Sequence, residues 1–197
     1  MEAHTEIPSL DQCWTPATDG HLYVAGEAKA ENTTALKHWA RELAEDSWEV
    51  WGLGDQTELA ELSAAGGGVF GSGEVRQFEV KMREICEQMD RRYAHLENRK
   101  NVELSPVAIV VDDLDRVLNR AANDPELQGP VEGIRFSLAA CQRIGRTVGV
   151  HVLKTVHSGP ELGADEMAMG KLVHVTLARI FHRVPDERSG LGTIPFT

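Results

Sequence analysis

The chain has 197 residues, enough for one sizeable core, with 42% hydrophobic and 26% charged residues, as in ordinary globular proteins. Its formal net charge of -11 argues against bulk attraction to nucleic-acid phosphates or anionic lipid. The three cysteines, Cys13, Cys86 and Cys141, are widely spaced and odd in number. They predict neither a zinc pattern nor a disulfide framework, and point to a reducing compartment. No apolar run reaches the length of a bilayer-spanning helix, and the N-terminus lacks the layout of a signal peptide. The expectation is a cytoplasmic protein with no membrane role.

Residues 1–20 are polar and carry Pro8 and Pro16, which predicts an N-terminal arm, with Trp14 its only anchor. A single α/β domain is expected over 21–197. His21–Gly26 (HLYVAG) reads as a strand ending on glycine, followed by a helix over 33–44 with Leu36, Trp39, Ala40 and Leu43 on one face. Strand, glycine turn and helix form the setting of a phosphate-binding loop, whose pattern is G-x-x-x-x-G-K-[ST]. In that frame the sequence runs from Gly26 through Lys29 to Glu31, Asn32 and Thr33. The first glycine and the hydroxyl residue are present, whereas the second glycine is Glu31 and the lysine is Asn32. Glutamate brings negative charge to a polyanion site, and asparagine cannot supply the bridging cation. Lys29 lies in the loop, three residues early.

Ser47–Leu53 predicts a second strand, and 57–64 a short helix before the glycine run 66–68. Val75, Phe78, Met82, Ile85, Met89, Tyr93 and Leu96 recur at three- and four-residue steps, which predicts one helix over 74–96. Arg91, Arg92, Arg99 and Lys100 are expected to form its solvated basic end. Ser105–Asp115 (SPVAIVVDDLD) is the organising stretch. Val107–Val111 is continuously apolar and largely β-branched, as in a strand buried on both faces, and it releases Asp112 and Asp113 at its carboxyl end. There α/β proteins place their ligand crevice, and in nucleotide-driven motors the first such acid holds Mg²⁺ while the second positions the attacking water. The plainer reading is a buried strand with an acidic turn. Further on, 118–129 reads as polar loop or short helix, 131–143 as helix, 148–156 as strand, 164–170 as loop or helical turn, and 173–177 and 180–184 as final strands. Alternating strands and helices predict a mostly parallel sheet covered on both faces.

The order of these motifs resembles the motor domain of FtsK/SpoIIIE/HerA-type RecA-like DNA translocases, a group that includes TraB-type conjugation proteins and the EccC secretion ATPases. HLYVAG is similar to the strand entering the family's Walker A loop, and PVAIVVDDLD to its Walker B strand. The segment from Arg76 to Asn101 is similar to the long helix ending in E-M-x-x-R-Y. GRTVGVHVLKT is similar to GRAAGIHLILAT, and ARIFHRV to the R-I-x-F-x-V strand. The resemblance implies a three-layer RecA-like, P-loop NTPase-type domain, with strand 148–155 lying between the Walker A and Walker B strands. It also implies a remnant nucleotide site of Gly26, Lys29, Glu31, Asn32, Thr33 and Thr155, with Asp112 and Thr33 as a remnant Mg²⁺ site. Asp113 stands where the family has glutamate, Val156 where it has a γ-phosphate-sensing glutamine, and Arg146 is a candidate to act on a neighbouring subunit.

The framework is kept while the ATP-handling positions are altered, so the expected function is a non-hydrolysing binding or regulatory module acting on a protein partner or a ring-ATPase subunit. No functional catalytic residue and no cofactor are expected, with Mg·ATP the ligand if any nucleotide binding survives. An active double-stranded DNA translocase using Lys29 and a ligand-free oligomeric scaffold are the alternatives. DNA contact is expected to be weak for the isolated chain, through Arg143, Arg146 and Lys154 or, second, Arg91 and Arg92. The arginine-rich composition is compatible with a plasmid or phage gene.

Overall fold

The computed structural model describes residues 7–26, 29–54, 68–70, 74–98, 105–156, 168–176, 179–184 and 192–195. In chain order the elements are α1 (Leu10–Cys13), α2 (Pro16–Asp19), β1 (His21–Gly26), α3 (Lys29–Glu45), β2 (Glu49–Leu53), β3 (Gly68–Phe70), α4 (Val75–Glu97), β4 (Val107–Val111), α5 (Leu114–Ala122), α6 (Gln128–Ile144), β5 (Val150–Val156), β6 (Gly170–Thr176), β7 (Arg179–Val184) and β8 (Gly192–Pro195). Short 3-10 turns, Pro125–Leu127 and Gly145–Val148, flank α6.

The strands form one eight-stranded sheet in the order β3-β2-β4-β5-β1-β6-β7-β8. All pairings from β3 to β6 are parallel, and β7 and β8 close the sheet antiparallel. Strand β5 lies between β1 and β4, the order that the family resemblance implied. β4 is central and every one of its residues is buried.

Its two faces feed two cores, which is the three-layer construction read directly from the side-chain period of two. Val107, Ile109 and Val111 pack with Val150 and Val152 against α4, α5 and α6. Ala108 and Val110 pack with Leu22, Val24 and Leu153 against α3, through Leu36, Trp39, Ala40 and Leu43 as its spacing predicted. The α4 stripe from Val75 to Met89 is buried in the first core.

Three local features differ from the expectations. Residues 7–20 are more than an arm held by one tryptophan. Leu10, Cys13 and Trp14 join the α3 core, Pro8 accepts a 2.9 Å hydrogen bond from Trp39 Nε1, and Glu42 accepts one from the Leu10 amide at 2.6 Å. The two turns are too short to show a helical period, which hid them in the sequence. Strands β3 and β8, of three and four residues, were likewise below the length at which a pattern declares itself. The short helix expected over 57–64 lies outside the described residues.

Arg92 reverses an expectation. It is 4% exposed rather than solvated. Nη1 donates to the Val148 carbonyl at 2.8 Å and Nη2 to Ser105 at 2.7 Å, so one guanidinium ties α4 to the turns leading into β5 and β4. Arg92 is the next step of the series 78, 82, 85, 89, so the stripe itself carried the signal. Gly145 in the same region is held by packing: a Cβ there would lie 2.6 Å from the Val150 carbonyl oxygen, closer than a side chain can approach.

Candidate functional site

The site lies at the carboxyl ends of β1, β4 and β5, where a parallel sheet opens its crevice. β4 delivers Asp112, whose amide still continues the sheet by donating to Leu53 O at 3.0 Å. Thr33, from the second turn of α3, donates through Oγ1 to Asp112 Oδ2 at 3.0 Å. Thr155, near the end of β5, donates to Asp112 Oδ1 at 2.9 Å. The Thr155 hydroxyl also accepts from the Asp113 amide at 3.0 Å. Asp112, Thr33 and Thr155 are buried to 3%, 5% and 4% exposure. Each oxygen of the Asp112 carboxylate thus accepts from a hydroxyl of the same chain, which compensates the desolvation of a buried acid.

Asp113 has a different environment from Asp112. It caps the start of α5 with φ 51° and ψ 44°, the left-handed region that a non-glycine residue occupies at a cost of about 1 kcal/mol or more. Its carboxylate pairs with Arg116 Nε at 3.1 Å, one turn along α5. The strained backbone turns the two adjacent acids apart, Asp112 inward and Asp113 toward the α5 surface.

β1 ends at Gly26. α3 begins at Lys29, four residues before the expected start at Thr33, because Lys29, Ala30 and Glu31 are all strong helix formers and an acid in the first turn suits the positive helix end. Asn32, in the frame position of the phosphate-binding lysine, is therefore within the helix and 1% exposed. Its Nδ2 turns back to donate to the Gly26 carbonyl at 3.4 Å, and its Oδ1 has no partner among the described residues. Glu31 is half-buried in the first turn. Val156, in the sensor position, is buried in a small cluster with Tyr23, Ala25 and Leu172.

The structure therefore brings Gly26, Asn32, Thr33, Asp112, Asp113 and Thr155 together, as the motif reading expected. Arg146 lies apart from them. Arg146 precedes β5, about 17 Å of strand from Thr155, and its guanidinium donates to the Ala17 carbonyl of its own chain at 2.7 Å. Lys154 sits at the opposite end of β5 from Arg146, in register with Val111 and Tyr23. Arg143, Arg146 and Lys154 thus do not form one basic patch. Arg91 is exposed and faces Glu87 at 3.9 Å, and buried Arg92 is not available to DNA. Among the described residues no group of three or more acids, histidines and cysteines has the placement of a metal centre, and no helix is long and apolar enough to cross a membrane.

Sequence reasoning missed a second polar cluster at the amino end of the sheet. His21 Nε2 donates to Gln142 O at 2.7 Å while its Nδ1 accepts from the Val152 amide at 3.0 Å, which fixes a neutral ring. Burial pushes its pKa down to about 4. His151 Nδ1 donates to Gly20 O at 2.7 Å, and the ring packs edge-on against Trp14, its pKa also lowered by burial. Both histidines stand in strands of high apolar content, the one sign that they are core groups.

No protein-family model matches the chain, and no curated protein sequence matches it. Solved structures do. The pCW3 conjugation coupling protein TcpA, in its monomer form with ATPγS, superposes with a TM-score of 0.66 at 15% identity, over 80% of this chain and 49% of its own. The cytoplasmic domain of the Thermomonospora curvata Type VII secretion ATPase EccC gives 0.58 at 16% identity, over 92% and 24%. ATPases 2 and 3 of EssC from Geobacillus thermodenitrificans give 0.60 at 14% identity, over 90% and 39%. The chain spans half or less of the length of these proteins. What it shares with them is the fold, a three-layer RecA-like α/β domain of the P-loop ATPase type.

Proposed function

We propose that this chain is a non-hydrolysing RecA-like module that works by binding a protein partner, as an inactive subunit or regulator of a ring ATPase. The observation that carries the proposal is Asn32, buried in the place of the phosphate-binding lysine and folded back on the Gly26 carbonyl. Its side-chain oxygen, without a partner among the described residues, is an acceptor, where a triphosphate requires donors and positive charge. Glu31 adds a carboxylate to the helix end that would otherwise attract phosphate. Asp112 and Thr33 are of the right type for Mg²⁺, yet both Asp112 oxygens are already satisfied internally. The residues present do not fit a bound magnesium triphosphate. Without the cation and the cradle, the electrostatic stabilisation on which phosphoryl transfer depends is missing.

A peptide or protein partner is favoured over DNA for two reasons. The net charge is -11, and the candidate cations are dispersed over opposite ends of the sheet. EccC, of the same fold, has been solved with a signal sequence peptide, which makes a peptide segment a reasonable class of partner here.

The test is ATP turnover by the purified chain alongside the double variant Glu31→Gly with Asn32→Lys. The wild type is expected to hydrolyse no ATP, and the variant to regain nucleotide binding. Turnover near 1 per second, at the low end of ordinary enzymes, abolished by Asp112→Ala, would overturn the proposal in favour of an active translocase. Submicromolar binding to random duplex at about 150 mM salt, tighter than the usual non-specific range, would do the same.

A further inference from the structure

The carboxyl end of α3 carries the wrong charge for a helix standing alone. That end is the negative pole of the helix dipole and favours cations. The last turn of α3 has no basic residue. Instead Glu42, Glu45 and Asp46 stand at i, i+3 and i+4, which gathers three carboxylates on one side of the helix end, where they repel one another. The chain then turns at Ser47, with φ 66°. The Ser47 amide donates to Ala44 O at 3.1 Å and the Trp48 amide to Leu43 O at 3.0 Å. This pair of hydrogen bonds closes the helix and holds Trp48 beside the acids.

These residues form one wall of a cleft of about 410 Å³, within the range of small-ligand sites. The turns α1 and α2 supply the other wall. Leu10, Leu43, Trp14 and Trp48 give the cleft apolar surface. Asp11 joins the three acids of α3, so four carboxylates line it and, among the described residues, no cation does. Glu42 accepts from the Leu10 amide and faces His38 at 3.3 Å, whereas Glu45 and Asp46 are exposed. Trp14 is 2% exposed, and its indole N–H has no partner among the described residues. A buried donor in that state costs stability until an acceptor meets it. The cleft lies at the opposite end of the sheet from Asp112, because α3 starts at the carboxyl end of β1 and delivers the chain to the amino end of β2.

We propose that this cleft binds an arginine side chain carried by a peptide segment of a partner protein. The site rests on the reading of this chain as a protein-binding module, and supplies the partner's chemistry. A guanidinium stacks on an indole face and forks onto carboxylates, and here Trp48 stands next to Glu45 and Asp46. Its charge also relieves the repulsion among the acids and complements the helix end. A peptide is favoured over a free polyamine because the Trp14 N–H needs an acceptor, which a peptide carbonyl supplies and an amine cation does not.

The experiment titrates the full chain with the capped pentapeptide Ala-Leu-Arg-Leu-Ala and follows the indole N–H resonances of Trp14, Trp39, Trp48 and Trp51. The Trp14 and Trp48 signals should shift saturably. Those of Trp39 and Trp51, already held by Pro8 and Glu49, should stay. The same peptide with glutamine in place of arginine should produce no shift. Glu45→Gln with Asp46→Asn, both at exposed positions where folding is least disturbed, should weaken the peptide by about tenfold, and added salt should weaken it in the wild type. Four outcomes would overturn the proposal: no saturable shift, equal shifts from the glutamine peptide, an unchanged affinity in the double variant, or spermidine moving the same signals more readily than the peptide. A chain that dimerises through this face and ignores the peptide would overturn it in favour of a second copy as occupant. ATP turnover reports on the other end of the sheet. A chain that hydrolyses ATP and still binds the peptide would sink the non-hydrolysing reading alone, and one that is inert to ATP and ignores the peptide would sink this site alone.

Discussion

Thr33 and Asp112, far apart in sequence, are joined by a 3.0 Å hydrogen bond that closes the crevice from the α3 side, while Thr155 closes it from β5 at 2.9 Å. This carboxylate works as a structural staple among three elements, and its energetics can be ranked. Thr33→Val should orphan one carboxylate oxygen and cost about 1–3 kcal/mol. Thr155→Val should cost more, because it also strips the acceptor from the Asp113 amide. Asp112→Asn should be the mildest change at this position, since hydroxyls rotate to accept from the new amide. Urea denaturation of the three variants gives the order, and a Thr33→Val midpoint equal to wild type would contradict the staple.

Ligand linkage provides an independent check on the nucleotide pocket. A ligand that binds only the folded state at a hundred times its dissociation constant adds about 2.7 kcal/mol. Millimolar Mg·ATP is expected to leave the wild-type melting temperature unchanged and to raise that of Glu31→Gly with Asn32→Lys. A clear upward shift in the wild type would show that the pocket accepts a triphosphate despite Asn32.

Arg92 should be among the most sensitive positions of α4. Arg92→Met removes both donors and leaves the Val148 and Ser105 carbonyls without them, at about 3 kcal/mol. Arg92→Lys should recover part of this, because a single ammonium cannot span two carbonyls in the manner of a planar guanidinium. By contrast, Arg91→Met should fall within about 0.5 kcal/mol of wild type, as exposed ion pairs do. Chemical denaturation distinguishes the three.

Acid should weaken the fold through the paired histidines. His21 is neutral when folded, with its pKa pushed down to about 4, and ordinary when unfolded, near 6.5. Above the unfolded value neither state binds the proton, so stability does not vary on this account. Below it the unfolded chain takes up a proton that the folded chain refuses, and stability falls until the folded value is reached. His21 alone should cost about 3 kcal/mol between pH 6.5 and 4, and His151 adds in the same direction. His21→Gln should flatten this part of the stability profile, whatever it does to stability at neutral pH.

Elements long enough to repeat their period were legible in the sequence. β4 was bounded to the residue by its apolar run, and α4 to within one residue by its stripe. The family resemblance implied Asp112, Thr33 and Thr155 as members of one site, and the carboxyl ends of β4 and β5 with the start of α3 hold them within hydrogen-bond reach. The rest depended on contacts that no local pattern encodes. The early start of α3 turned on helix propensity outweighing a loop motif that had lost its glycine and lysine. The burial of Arg92 turned on two distant carbonyls in need of donors. The seating of Cys86 on the Ser137 carbonyl of α6, at 3.9 Å, required the packing of two distant helices, which spacing along the chain does not reveal.

The placement of β1 has a consequence for how this protein is made. β1 leaves the ribosome before the other described strands of this sheet, yet its neighbours β5 and β6 are among the later ones, and the contact from His151 to Gly20 spans 131 residues. β2 and β4 can pair earlier, so the half of the sheet carrying α4 can begin to consolidate while β1 and α3 still wait with an apolar face exposed. Closing so long a loop is slow relative to local helix formation. A nascent chain halted before Val150 should therefore remain protease-sensitive over residues 7–45, and gain protection only once β5 has been added.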